Sequence, residues 1–97
     1  MKVRLADGEM RVRLSTVEIA GLLEGGEATV AVGDTVLVAV RTTDDAEARL
    51  TADLGRISID LPRSKMQSPG PDGPLIHQFS EQGAAVVVEL DLGRRPR

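Results

Sequence analysis

Lys2, Arg4, Arg11 and Arg13 are the side chains whose type and spacing suggest chemistry. Cations at alternate positions of a strand line one face, where they can hold a phosphate, a carboxylate or a polyanion. They lie in KVRLADGEMRVRLS, in which Asp7-Gly8 separates two segments that alternate apolar and polar residues. An Asp-Gly pair in that setting predicts a two-residue hairpin, because a type I′ turn needs positive φ at both central positions. The register then follows: Lys2 faces Arg13, Arg4 faces Arg11, and Val3 faces Val12. Val3, Leu5, Met10, Val12 and Leu14 take the opposite surface. Like charges facing each other across a hairpin destabilise it by some tenths of a kcal/mol per pair. Either the fold offsets them or a ligand does. Glu89 and Asp91, in VELDL, have the same i, i+2 spacing as Arg11 and Arg13 and would neutralise the cations if the last strand lay beside the hairpin. Otherwise the four cations stay open to an anionic ligand or an acidic partner protein.

The remaining chemistry-bearing residues are scattered. His77 is the only histidine and there is no cysteine, whereas a zinc site takes three or four nitrogen and sulfur ligands. Asp44, Asp45 and Glu47 cluster in sequence, but a hard cation needs about six oxygens arranged by a dedicated loop. Ser15 reads as a helix cap, and Ser64, Ser68 and Ser80 have no G-x-S-x-G or S-x-x-K context. No phosphate-binding glycine motif is present. The expectation is therefore no catalytic residue, no metal and no cofactor. An enzyme would need a carboxylate–arginine arrangement that one dimension does not reveal.

These residues must be carried by short elements. Ser15-Thr16-Val17-Glu18 has the form of a capping box, followed by Ile19, Leu22 and Leu23 on one helical face and by Gly25-Gly26 as the stop. ATVAV and TVLVAVR read as a hairpin about Gly33-Asp34, the second strand apolar on both faces and so central in a sheet. Residues 45–54 fit a helix, with Ala46, Leu50 and Leu54 at i, i+4, i+8. They fit a strand equally well, with Leu50, Ala52 and Leu54 inward. RISIDLP alternates cleanly and ends at Pro62. Residues 62–74 hold four of the five prolines and read as an extended surface loop. LIHQFS and AAVVVELDL are the final strands, turned at Gln82-Gly83.

Ninety-seven residues make one domain, taken as 1–93 with a flexible basic tail at 94–97. With 41% hydrophobic residues and Phe79 as the only aromatic, the core must be built from Val, Leu, Ile and Ala. Such a short chain buries a modest fraction of its surface, which makes pairing through a strand edge a fair expectation. The net charge of −3 opposes non-specific nucleic-acid binding, and single-strand binders stack bases on aromatics that are missing here. A charged N-terminus argues against a signal peptide, and no apolar run approaches the roughly 20 residues that span a bilayer. The absence of cysteine suits the cytoplasm.

VRLADGEMRVRLSTVEIAGL, RISIDLP and AVVVELDL together resemble a small bacterial domain family of similar length with no established activity. Its members share an N-terminal hairpin with an R-x-R-L pair, a Ser/Thr-x-x-Glu helix start and an acidic terminal strand. The resemblance implies a strand rather than a helix at residues 48–54 and brings no catalytic or binding residue with it. Relatives tend to carry a cysteine beyond the last strand, for which this chain has no counterpart.

The expected architecture is α+β: a mainly antiparallel, twisted sheet or partial barrel of about seven or eight strands with one short helix. The expected function is a small non-catalytic cytoplasmic binding domain for a partner protein or a second copy of itself. The alternative is an anionic ligand or nucleic acid on the Lys2, Arg4, Arg11 and Arg13 face, and the third reading is an enzyme.

Overall fold

A computed structural model describes residues 1–68 and 73–91. The first hairpin joins β1 (Lys2–Ala6) to β2 (Glu9–Leu14), and α1 (Thr16–Leu23) follows at once. Next come β3 (Glu27–Val32) and β4 (Val36–Thr43), then β5 (Arg49–Asp53) and β6 (Arg56–Pro62). A single 3₁₀ turn at Arg63–Lys65 leads towards β7 (Leu75–Glu81) and β8 (Ala84–Leu90). The chain is α+β, with eight strands and one α-helix among the described residues.

The strands form two sheets rather than one. Their orders are β1-β2-β8-β7 and β3-β4-β6-β5. Each sheet is a pair of antiparallel hairpins whose second strands lie side by side and parallel, β2 against β8 and β4 against β6. Four of the six pairings are antiparallel, as expected, and the two central ones are parallel. No barrel closes among the described residues. The backbone N–H of Leu50, on edge strand β5, donates to Glu81 Oε2 at 2.5 Å. The C=O of Leu50 accepts from Gln82 Nε2 at 2.7 Å. Side chains at the β7–β8 turn thus take the place of a ninth strand and blunt that edge.

Residues 49–53 form a strand, which settles the choice between helix and strand. Leu54 does not point inward as the alternation suggests. It opens the β5–β6 turn with φ +34°, and Gly55 follows at φ +82°. Positive φ at both positions makes this a hairpin turn of the same kind as Asp7-Gly8, and a turn residue leaves the strand's in–out alternation. Gly55 is required there, since a Cβ would stand 2.6 Å from the Thr35 carbonyl oxygen.

The inward rows of both sheets share one core. Val12, Leu14, Val86, Val88 and Ile76 from one sheet meet Val40, Ile59 and Leu61 from the other, all fully buried. Helix α1 packs on β3 and β4 and adds Leu22. Its start is the capping box expected from the sequence: Ser15 Oγ accepts from the Glu18 N–H at 3.1 Å, and the Glu18 carboxylate accepts from the Ser15 N–H at 2.9 Å. The Met1 ammonium donates to the same carboxylate at 2.8 Å. Burial alone would raise the Glu18 carboxyl. The hydrogen bonds and charge of the ammonium, with the bonds from Ser15, outweigh it and hold the group below its ordinary value. β8 ends at Leu90, and the proposed tail at 94–97 lies outside the described residues.

Candidate interaction surface

The outer face of the first sheet is built by three adjacent strands. Asp7 and Gly8 both have positive φ, at +34° and +79°, and fix the register read from the sequence: Lys2 opposite Arg13 and Arg4 opposite Arg11. β8 lies beside β2 with Val87 next to Arg11 and Glu89 next to Arg13. The carboxylate strand therefore sits where neutralisation requires it.

Glu89 is 8% exposed and receives two arginines. Arg11 Nη1 donates to both of its oxygens, at 3.3 and 3.2 Å, and Arg13 Nε donates to Oε1 at 3.1 Å. Arg11 Nη2 also reaches Glu9 at 3.2 Å. The hydrogen bond and charge of Glu89, then those of Glu9, raise the Arg11 guanidinium above its already high ordinary value. At the rim, Lys2 Nζ lies 3.3 Å from Asp91. Three of the four cations are thus neutralised within the fold. Arg4 alone of the four has no hydrogen-bonding or ionic partner among the described residues. It lines a shallow recess of about 430 Å³ with Ala6, Glu9, Arg11 and Arg13.

The second sheet repeats the arrangement on its own outer face. Arg41 Nε donates to Asp60 at 2.6 Å across the parallel β4–β6 pair, as Arg13 does to Glu89 across β2–β8. Bridging a central parallel pair by an arginine and an acid is a general device of this fold. It is not peculiar to the basic hairpin.

The sequence gives no hint of the other side of the hairpin. Among the described residues β1 pairs only with β2, so none of them covers its far edge. Leu5 stands on this strand next to Arg4 and is 65% exposed. Beneath it runs an apolar groove of about 350 Å³ that reaches Met10, Leu50 and Ala84. Alternation marks Leu5 as inward, and only the position of β1 at a sheet edge reveals it as accessible.

His77 is half-buried with its ring 6.0 Å from that of Phe79. Both open onto a recess of about 320 Å³ that also holds Glu47, Lys65 and Ser80. A single carboxylate accompanies the imidazole there. Asp44, its sequence neighbour, bonds Arg63 at 2.6 Å instead. Among the described residues no three His, Asp or Glu side chains gather closely enough to hold a metal ion. Nor is any described helix long and apolar enough to cross a membrane. Comparison with protein-family models, with curated proteins and with solved structures finds no match to this chain, so the reading of this surface rests on its geometry.

Proposed function

We propose that the protein is a non-catalytic cytoplasmic interaction domain that binds a polypeptide along the open edge of β1. The observation that carries this reading is the pair Arg4 and Leu5: among the described residues, a cation without a partner and an exposed leucine, adjacent on a strand whose outer edge has no neighbour. An extended segment adding to such an edge gains main-chain hydrogen bonds, and its alternate side chains fall on opposite faces. One face offers Arg4 and the other offers Leu5 above its groove. The matching segment alternates acidic and apolar residues. Selection of random peptides displayed on phage should enrich that pattern. Binding of the selected peptides should be lost in Arg4→Glu and in Leu5→Pro, which removes an outward N–H. Selection without enrichment, or peptides indifferent to both substitutions, would overturn the reading.

The second reading, an anionic ligand on the basic face, is favoured by the recess beside Arg4. Glu9 and Glu89 share that face with three arginines, leaving one unit of net positive charge. Retention on heparin that disappears in Arg4→Ala would support this reading, and flow-through of the unmodified protein at low salt would sink it.

A further inference from the structure

His77 and Phe79 face Val88 and Val86 across the β7–β8 pair, and both valines are fully buried. Residues directly opposite each other in an antiparallel pair share a face. A core-facing row of aliphatic side chains therefore ends, at edge strand β7, in two rings. They are the only histidine and the only phenylalanine of a chain without tyrosine or tryptophan. Phe79 packs against the core, and with His77 it also lines the recess of about 320 Å³. Packing accounts for the phenylalanine. It does not account for His77, which is half-buried and forms no hydrogen bond to any described residue, at a position where another aliphatic side chain would continue the row.

Two further segments line the recess, the β4–β5 loop with Glu47 and the 3₁₀ turn with Lys65. Asp44 and Arg63 bond these segments to each other at 2.6 Å, and Arg63 also donates to Thr42 at 2.9 Å. Glu47 and Lys65 stand outside that link, and neither has an ionic or hydrogen-bonding partner among the described residues. The recess thus presents a carboxylate, an ammonium, an imidazole and a ring, all uncommitted within the described fold. We infer that it binds a small zwitterion with an apolar side group, of the chemical class of the apolar α-amino acids. The ligand's ammonium meets Glu47, its carboxylate meets Lys65 and His77, and its apolar group lies against Phe79. A simple anion would leave Glu47 unanswered, and a simple cation would leave Lys65 so; a zwitterion answers both. β7 is the opposite edge of its sheet from β1, so this site stands independently of the β1-edge reading.

Proton NMR in deuterium oxide provides the test, because once the amides have exchanged His77 and Phe79 supply every aromatic signal of the chain. The probes are L-leucine, isocaproate, which lacks its ammonium, and isoamylamine, which lacks its carboxylate. None of them adds a ring signal of its own. At fixed pH, L-leucine should shift both rings along one saturable curve, and each truncated probe should bind about tenfold more weakly. Glu47→Gln should weaken L-leucine by about tenfold and leave isocaproate unchanged. Lys65→Met should do the same to L-leucine and leave isoamylamine unchanged. Both side chains are exposed, so the two variants should melt with the parent. Ring shifts that do not saturate, equal binding of the three probes, or binding of L-leucine indifferent to both substitutions would overturn the inference.

Discussion

The carboxylate of Glu89 lies 3.2 Å from the guanidinium of Arg11, a residue 78 positions away along the chain. The contact ties one end of the sequence to the other, and it explains why a hairpin with Arg4 facing Arg11 and Lys2 facing Arg13 is tolerated. An acid on the neighbouring parallel strand lies between the cations that the hairpin gathers.

Glu89→Gln preserves the shape of the side chain and removes its charge, leaving Arg11 and Arg13 to face Arg4 and Lys2 with less compensation. The melting temperature should fall by about 5 °C. Arg4→Glu should do the reverse. It places an acid opposite Arg11, and the protein should melt about 2 °C higher. A thermal melt of each variant, followed by circular dichroism, reads both. An Arg4→Glu protein that is more stable yet fails to bind peptide would separate recognition from folding in one substitution.

The Glu18 carboxyl is held below its ordinary value of 4.5 in the folded chain. A carboxyl depressed on folding stabilises the fold fully above the unfolded value, and that contribution is lost as pH falls through the lower folded value. Unfolding free energies from urea titrations, measured from neutral pH down to the acid limit of folding, should therefore differ between the parent and Glu18→Gln by about 1 kcal/mol near pH 7. The gap should close in the range below 4.5. A gap that stays constant down to that limit would mean that the charge of Glu18 contributes nothing to helix capping.

Leu50 sits on an edge strand, yet its amide is bonded to Glu81 and its carbonyl to Gln82. Hydrogen exchange of the Leu50 amide should therefore be slow, as for an amide inside a sheet. Glu81→Ala should accelerate it by about tenfold, the equivalent of one hydrogen bond, while the Ile59 amide in the central strand β6 is little changed. Equal acceleration at both positions would indicate global destabilisation instead of an opened edge.

Much of this was legible because it is local. Asp7-Gly8 dictates its own register, Ser15 and Glu18 cap a helix within four residues, and RISIDLP alternates over a single strand. The spacing of Glu89 and Asp91 pointed across the chain only because the hairpin's facing cations called for a neutralising strand. The division into two sheets was not legible. Alternation tells which face a residue takes but not which strand lies next to it, and both parallel pairings join strands distant in sequence. Leu54 was misplaced because a Leu-Gly turn lacks the polar first residue that marks Asp7-Gly8, and so read as the continuation of a strand. Leu5 was placed on the correct face, but its exposure depends on β1 being the last strand of its sheet.

The two sheets also differ in how the chain reaches them. One is made from a continuous run, β3 to β6, nested between the segments that form the other. Arg41 and Asp60, which bridge the centre of the nested sheet, are 19 residues apart, whereas Arg13 and Glu89 are 76 apart. Closing the longer loop is entropically dearer by about 1.2 kcal/mol, and less so once the nested sheet has already shortened the path. On loop entropy alone, the expected order of assembly runs from the middle of the sequence outward, with β8 joining β2 last and Glu89 bonding across that pair. The open edge at Arg4 and Leu5 thus belongs to a sheet whose two halves, β1-β2 and β7-β8, are supplied by opposite ends of the described chain.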